Sequence, residues 1–177
     1  MARKTKKDWY WACAQIVSQD GALALTIDRL CQAVGLTKGS FYHHFGGIDD
    51  FIEQYLLFFE QEGTLQIIET VEIEITPAAK MRKLIELVIA DPPDLEAGTR
   101  AWALQDSRVQ AVFERVDQQR FAYVTELWRP LVADEATAIL RGRMLYTILI
   151  GGNHVFPPLS QSELRALFNA YLEAFEI

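Results

Sequence analysis

The sequence is poor in the residues that build metal sites, disulfides and polar active centres. It has two cysteines and three histidines among 177 residues. Cys13 and Cys31 lack the close pairing of zinc and redox motifs, so we expect two buried thiols. The adjacent His43 and His44 complete no zinc-ligand spacing with them. We therefore expect no metal and no other cofactor, and the lack of a convergent nucleophile, base or metal set argues against an enzyme.

Long apolar segments are missing as well. The strongest apolar run, residues 144–150, is much shorter than the roughly 20 residues that span a bilayer. The amino-terminal residues lack the apolar stretch of a secretory signal peptide. Apolar residues nevertheless make up 50% of the chain, enough for a hydrophobic core. We expect a soluble, cytoplasmic globular protein with no membrane partner.

The net charge of −7 is unevenly distributed. Residues 1–45 contain six Lys and Arg against three Asp, a net charge of +3, so the other residues carry −10. A basic segment on an acidic chain indicates that only the amino-terminal segment approaches phosphate groups. An ordinary solvated amino terminus is the alternative interpretation.

Apolar residues recur at helical spacing along the whole chain. In the first helix Trp9 and Cys13 lie on one face, and later segments repeat the pattern. Strand signals are weak, so the pattern predicts an all-α fold of about nine helices. The double glycine at residues 46–47 ends the third helix. We therefore expect a helix-turn-helix head over residues 1–47 and a helical ligand-binding and dimerisation body over residues 48–177.

The second and third predicted helices form a compact motif. Thr26 is the predicted N-cap of the second helix, and Thr37 is that of the third. Gly35 lies in the tight turn between them, where a positive φ is required. Two short helices joined by such a turn have the helix-turn-helix geometry of DNA-binding proteins. A plain helical hairpin packed in a core is the alternative.

One side of the third helix is free of core packing, because Phe41 and Phe45 form its inward side. We call the free side the reading face; it consists of Lys38, Gly39, Ser40, Tyr42 and His43. Its first turn is small and polar, which allows close approach to base edges in a major groove. Lys38 can reach a phosphate or a guanine edge, and Tyr42 and His43 offer donors toward phosphates.

Residues 8–60 resemble the DNA-binding region of the tetracycline-repressor (TetR) family. The resemblance is clearest from Leu25 onward, where the sequence reads LTIDRLCQAVGLTKGSFYHHF. It implies a homodimer whose two heads occupy successive major grooves of a palindromic operator, about 34–36 Å apart. It further implies a transcriptional regulator, and specifically a repressor that a small-molecule ligand releases from double-stranded DNA.

The same resemblance assigns roles to individual residues of the motif. It implies that Thr26, Thr37 and Tyr42 hold phosphates. Four positions then face the bases, namely Lys38, Gly39, Ser40 and His43. His44 matches a position that contacts phosphate or packs the helix.

One position departs from the family pattern. Where the family often has a phosphate-binding lysine at the start of the fourth helix, this chain has Ile48, followed by Asp49 and Asp50. We therefore expect one phosphate contact to be missing. DNA affinity would then depend more on a basic amino-terminal arm, which contains Arg3, Lys4, Lys6 and Lys7. Such an arm commonly touches the minor groove or the DNA backbone; a plain disordered tail is the alternative.

Two apolar stripes mark the last two predicted helices. By the resemblance, these helices pair with those of a second copy, and the candidate interface residues are Leu145, Ile148, Leu149, Leu167 and Tyr171. Core packing within one chain is the alternative for all of them.

The body also carries residues that could line an effector pocket. We select Trp102, Tyr123 and His154 as candidates, because rings and a few polar tips are typical of such pockets. Core packing is the alternative for the two rings, and a structural hydrogen bond is the alternative for His154. These residue types support only a general expectation of an apolar or aromatic effector.

Two other functions are compatible with the same fold. A helical adaptor would have kept the head and lost DNA binding, and a ligand-independent DNA binder would lack an effector. Steep salt dependence of DNA affinity separates a DNA reader from an adaptor, because it reports the number of phosphates neutralised.

Overall fold

The computed structural model describes residues 4–90 and 93–177 and, for residues 93–95, the backbone alone. Over these residues the chain is all-α and has no strand, as predicted. Its α-helices are α1 (Lys6–Asp20), α2 (Ile27–Val34), α3 (Lys38–His44), α4 (Ile48–Glu60), α5 (Gln66–Val71), α6 (Pro77–Ala90), α7 (Pro93–Ala103), α8 (Ser107–Trp128), α9 (Glu135–His154) and α10 (Gln161–Ala174). A π-helical segment, Gln61–Leu65, joins α4 to α5 along the chain. When α4, this segment and α5 are counted as one continuous helix, the described residues contain nine helices.

Two properties of the described residues bear on function. None of their helices is long and apolar enough to cross a membrane. The same residues contain no cluster of three or more His, Cys, Asp or Glu side chains that could hold a metal ion.

The short helices of the motif begin and end where their sequences dictate. Thr26 precedes α2 and accepts a hydrogen bond from the Arg29 N–H, and Thr37 precedes α3 and accepts one from the Ser40 N–H. Each bond satisfies a helix donor that has no partner within the helix. Gly35 ends α2 with a φ of 74°, a left-handed conformation that favours glycine. The predicted caps and turn are confirmed.

Two compact units share the chain. Unit 1 contains Met1–Gln61 and Pro93–Glu114, and unit 2 contains Glu62–Pro92 and Arg115–Ile177. Each unit is thus assembled from separate stretches of sequence, and each has its own hydrophobic core. The functional boundary predicted after residue 47 is a different division of the chain and stays a prediction.

The core of unit 1 is built around aromatic rings. Trp9 is fully buried, and its ring meets those of Phe41 and Phe45 edge-on, at centroid distances of 5.6 and 6.2 Å. These contacts fix the inward side of α3 against α1 and leave the reading face outside the core. Cys13 and Cys31 are buried free thiols, as expected, and burial raises the pKa of both.

Helix α7 packs closely on α1 within unit 1. A Cβ atom at Gly98 would lie 2.5 Å from the Cα atom of Ser18, so this approach requires glycine. The buried hydroxyls of Tyr55 and Thr99 are hydrogen-bonded at 2.7 Å and join α4 to α7. Unit 1 is therefore larger than the three-helix head, because α4, α7 and the start of α8 complete its core.

The core of unit 2 gathers residues from α5, α6, α8, α9 and α10. The Trp128 ring is fully buried and meets Tyr171 edge-on at a centroid distance of 5.8 Å. The Tyr171 hydroxyl donates to the Arg141 carbonyl oxygen at 2.6 Å. The Arg141 guanidinium lies 4.2 Å from the centroid of the Phe175 ring. These contacts hold α8, α9 and α10 together.

Candidate nucleic-acid interface

The reading face lies on the solvent side of α3. Lys38, Tyr42 and His43 are exposed, whereas Phe41, which lies among them in the sequence, is fully buried. Tyr42 has 56% of its surface exposed, and its ring rests edge-on against Phe41 at a centroid distance of 5.5 Å. The buried ring therefore anchors the helix and leaves its outer side open to a partner.

The first turn of α3 combines small size with hydroxyl groups. The Ser40 N–H donates to the Thr37 hydroxyl oxygen at 3.3 Å, and the two hydroxyl oxygens are 3.4 Å apart. A Cβ atom at Gly39 would have one neighbour, the Thr37 hydroxyl oxygen, at an ordinary contact distance of 3.6 Å. Packing within the chain therefore does not require glycine at residue 39, and its small size leaves room for a partner.

An open groove runs beside the reading face. Lys4 and Asp8 of the amino-terminal segment form part of its wall. Five of the eight predicted DNA-binding residues also line it, namely Thr37, Gly39, Ser40, His43 and His44. The other three, Thr26, Lys38 and Tyr42, are exposed outside this lining. His44 is half-buried and packs against Phe45 at a ring-centroid distance of 5.9 Å, which fits the packing role.

Two basic side chains of the motif are paired with carboxylates. Lys38 Nζ lies 2.7 Å from Asp28 Oδ1, and the hydrogen bond with Asp28 raises the pKa of Lys38. Arg29 forms an ion pair with Asp20. All four side chains are exposed, so each pair contributes little stability and opens at small cost when a phosphate competes for the cation.

The amino-terminal lysines differ from the expected arm. Helix α1 begins at Lys6, so Lys6 and Lys7 are helical and form neither an extended arm nor a disordered tail. The Thr5 N–H donates to the Asp8 carboxylate at 2.6 Å, and this bond is the main cause of the lowered pKa of Asp8. Such a cap fixes the start of a helix. Arg3 lies outside the described residues.

Lys4 and Lys6 point to different partners. Lys4 Nζ lies 3.2 Å from Asp8 Oδ1. Lys6 Nζ donates to Gln54 Oε1 of α4 at 2.7 Å and lies 5.3 Å from the centroid of the Phe45 ring. Lys6 is therefore held beside the end of α3.

The start of α4 is acidic, and unit 1 supplies partners for both carboxylates. Asp49 Oδ1 lies 2.9 Å from a terminal nitrogen of Arg108. Asp50 accepts hydrogen bonds from the Gln54 amide at 3.0 Å and from the Gly46 N–H at 2.7 Å. These two bonds, Gln54 first, hold the pKa of Asp50 below its ordinary value.

Ile48 packs, partly buried, against the core of unit 1. The position therefore contributes apolar packing to the start of α4 and no positive charge. Sequence reasoning identified this departure and missed the partners that follow it. Arg108 is 59 residues from Asp49, and a side-chain contact across such a distance leaves no local pattern in the sequence.

The three effector-pocket candidates do not belong to one unit. Trp102, in unit 1, is buried and stacks on Tyr55 at a centroid distance of 6.4 Å. Tyr123, in unit 2, is half-buried and donates to Glu72 at 2.8 Å. His154, also in unit 2, is exposed and bonds a backbone carbonyl of its own helix through Nδ1 at 2.7 Å. Each residue has a structural partner, and the pocket stays a prediction.

The five candidate interface residues fall into two groups. Leu145 and Tyr171 are buried in the core of unit 2, so their side chains pack within the chain. Ile148 and Leu149 are half-buried, and Leu167 is 45% exposed. Further exposed apolar side chains on α9 are Ile139, Leu140 and Met144. The apolar surface that a second copy could cover thus overlaps the predicted set and extends beyond it.

Comparison with known proteins places this motif in a family context. Residues 12–55 match the family model described as bacterial regulatory proteins, tetR family. A TetR-family transcriptional regulator from Streptomyces coelicolor has a similar structure, with 17% identity, a TM-score of 0.78, and 96% of this chain and 87% of that chain covered. A TetR transcription regulator from Haloarcula marismortui gives 16% identity, a TM-score of 0.71 and coverages of 97% and 96%. The TetR family regulator PfmR from Thermus thermophilus gives 17% identity, a TM-score of 0.70 and coverage of 97% of each chain. No curated protein matches the chain.

Proposed function

We propose that the chain is a TetR-family transcriptional regulator that reads a specific DNA sequence through α3, and the match of residues 12–55 to the family model supports this. The observation that carries this proposal is the contrast between the solvent-exposed reading face and the fully buried Phe41 beneath it. A helix held from one side, with glycine and serine in its first turn, suits insertion into a major groove.

The residues of the motif divide into phosphate-binding and base-facing sets. The hydroxyls of Thr26, Thr37 and Tyr42 are on exposed residues and donate to phosphates. The base-facing set is Lys38, Gly39, Ser40 and His43. His44 packs against Phe45 and lines the groove. Lys38 first leaves its exposed partner Asp28, at small cost.

Two copies of the chain bind a palindromic operator as a homodimer. The resemblance supports this arrangement, and so do the exposed apolar side chains of Leu140 and Met144 on α9 and Leu167 on α10. Covering such side chains in a four-helix bundle between two copies removes apolar surface from water. The two reading helices then enter grooves about 34–36 Å apart.

The regulator acts as a repressor that a small apolar or aromatic effector releases from DNA. An effector that binds more tightly when α4 is displaced lowers operator affinity, because α4 is bonded to the turn after α3 through Asp50. A coupling of about 1–3 kcal/mol changes affinity roughly 5- to 150-fold. Equal operator affinity of the free and effector-bound protein would contradict this mechanism.

A helical adaptor without DNA binding is the second candidate. The acidic start of α4 and the pairing of Lys38 with Asp28 favour it, because both reduce the positive charge that a phosphate would meet. A ligand-independent DNA binder is a further alternative to effector release, and it differs from the proposed repressor only in its lack of an effector response.

Selection of fragments from the source genome by the purified full-length protein tests the proposal. The protein should enrich one short palindrome, and Tyr42→Ala should enrich it much more weakly because it loses a phosphate contact. Leu104→Ala removes an apolar side chain that is 88% exposed elsewhere in unit 1 and should enrich the same palindrome. No enrichment by the unmodified protein would favour the adaptor, and equal enrichment by Tyr42→Ala would remove α3 from its role as the reader.

A further inference from the structure

We infer that Lys6 is the principal phosphate anchor of the head and that Gln54 positions it; this inference rests on the proposed function. The described part of the head contains five basic residues, namely Lys4, Lys6, Lys7, Arg29 and Lys38. All five are exposed. They differ in the chemical nature of the groups that hold their side chains.

Three of these side chains are bonded to carboxylates. The pairs are Lys4 with Asp8, Arg29 with Asp20, and Lys38 with Asp28. A carboxylate beside a cation weakens its attraction for a phosphate, and the two anions compete for the same N–H donors. Each of these pairs must open before its cation can bind DNA at full strength.

Lys6 is held by neutral groups instead. Its ammonium donates to the Gln54 amide oxygen at 2.7 Å and lies 5.3 Å from the centroid of the Phe45 ring. Neither the amide nor the ring carries a net charge, so neither of them neutralises the positive charge of the ammonium. An ammonium has three N–H donors, so the bond to Gln54 is compatible with a simultaneous bond to a phosphate oxygen.

The neighbouring carboxylate of Asp50 is already satisfied by other donors. Its two oxygens accept bonds from the Gln54 amide at 3.0 Å and from the Gly46 N–H at 2.7 Å. Lys6 acts on Asp50 only through the distance-dependent attraction of their charges, which is the smallest of the effects on that carboxyl. Asp50 therefore orients Gln54 and does not occupy the Lys6 ammonium.

The same network ties Lys6 to the reading helix. The Tyr10 hydroxyl donates to the Gln54 amide oxygen at 3.3 Å, which fixes the acceptor that Lys6 uses. Asp50 links this amide to Gly46, in the turn that follows α3. A cation that is held in place before DNA arrives loses less conformational freedom on binding than a mobile surface lysine.

Lys7 provides a matched contrast on the same helix. Consecutive residues of an α-helix point about 100° apart, and Lys7 Nζ lies 5.8 Å from the centroid of the Phe58 ring. It carries the same charge as Lys6, and the ring that it contacts belongs to α4 and not to the end of α3. Replacing either lysine by glutamine changes the net charge by the same amount.

The salt dependence of DNA binding tests the inference with the recovered palindrome and with a mixed-sequence duplex. Each phosphate contact contributes about 0.9 to the slope of log affinity against log salt concentration. Lys6→Gln should therefore reduce the slope by about 0.9 per head. Lys7→Gln should leave it nearly unchanged, and Lys6→Arg should retain it because the charge is kept.

The outcomes separate this inference from the proposed function. An unchanged slope in Lys6→Gln, or equal reductions in Lys6→Gln and Lys7→Gln, would overturn the role of Lys6 while the unmodified protein still binds DNA. Failure of the unmodified protein to bind either duplex would overturn the proposed function instead. Lys6 is exposed, so its replacement leaves the core of unit 1 intact, and thermal unfolding of each variant checks this.

Discussion

The Asp28 carboxylate holds the ammonium of Lys38 at 2.7 Å, on the helix that enters a major groove in our proposal. In free protein this pair hides one positive charge of the reading face. On mixed-sequence DNA the pair can stay closed, whereas a correctly placed guanine edge offers Lys38 two acceptors in exchange. Asp28 therefore favours discrimination between sequences at the expense of general affinity for DNA.

Replacement of Asp28 by asparagine tests this role. Asp28→Asn should raise affinity for mixed-sequence duplexes severalfold and narrow the gap between operator and mixed-sequence binding, because Lys38 then meets phosphates at full charge. Fluorescence anisotropy with both duplexes at several salt concentrations measures the two affinities. Glu173→Gln makes the same change in net charge on α10. An equal rise in that control would assign the effect to net charge and not to Lys38.

At the scale of single residues, the sequence predicted helix caps and the tight turn correctly, but it did not predict which side chains pair across separate helices. Thr26, Thr37 and Gly35 were identified because a cap or a tight turn depends on residues within one helical turn. The contacts of Lys38 with Asp28 and of Lys6 with Gln54 depend on how separate helices pack. Long flexible side chains with several possible partners give no sequence signal of which partner they choose.

At the scale of helices, the approach of α7 to α1 depends on a missing side chain. Gly98→Ala would place a Cβ atom 2.5 Å from the Ser18 Cα atom, and backbone cannot move aside as a flexible side chain can. We expect a loss of about 1–3 kcal/mol in the free energy of unfolding, from overpacking in the core of unit 1. Urea unfolding followed by circular dichroism measures it.

Gly39→Ala is the matched control for this substitution. Residue 39 is also a helical glycine of unit 1, but its added Cβ atom would meet only an ordinary contact at 3.6 Å. Alanine is a better helix former than glycine by up to about 1 kcal/mol. Stability should be unchanged or higher in Gly39→Ala, and equal destabilisation of the two variants would contradict close α1–α7 packing as the cause.

Helix positions were largely predictable, whereas helix partnerships were not. Apolar periodicity and caps identified the helices because both act within a few residues. The lysines at residues 6–7 were misjudged because the cap formed by Thr5 and Asp8 extends α1 through them. The membership of α7 in unit 1 rests on Gly98 and Thr99, and nothing in their local sequence indicates which helix they will meet.

At the scale of the whole molecule, many carboxylates are stabilised in their charged form by nearby donors. Hydrogen bonds from backbone N–H groups, hydroxyls, amides or paired cations lower the pKa values of Asp8, Asp50, Glu72, Asp106, Asp134, Glu135 and Glu163. Several of these groups fix helix starts, as Asp134 does for α9 and Glu163 for α10. Their ionisation is therefore coupled to folding.

This coupling predicts how stability depends on pH. Each folded-state pKa lies below the unfolded-state value of about 4, so each group stabilises the fold above that value and loses its contribution as pH falls through the folded-state pKa. The urea midpoint should stay level from about pH 7 to about pH 5 and decline below about pH 4. Unfolding series across this range measure it; a midpoint that rises on acidification would contradict the prediction.

The sequence also predicted the fold class of the molecule, and it did so from charge distribution and family resemblance as well as from local patterns. The basic amino-terminal segment and the resemblance of residues 8–60 indicated a helix-turn-helix on a helical chain, and the all-α fold is confirmed. The division into two discontinuous units was not predictable, because it depends on which distant helices meet. The buried positions of Leu145 and Tyr171 in unit 2 have the same origin.

The discontinuity of unit 1 has a consequence for the order in which the protein is made. Ribosomes release α1 to α4 first and then Glu62–Pro92, which belong to the other unit, before α7 emerges. Until α7 emerges, the surface of α1 at Ser18 lacks the contact with Gly98 that covers it in the complete fold. The nascent reading motif thus reaches its full stability only late in translation. A translation product that stops short of Pro93 carries α2 and α3 without the complete core of unit 1.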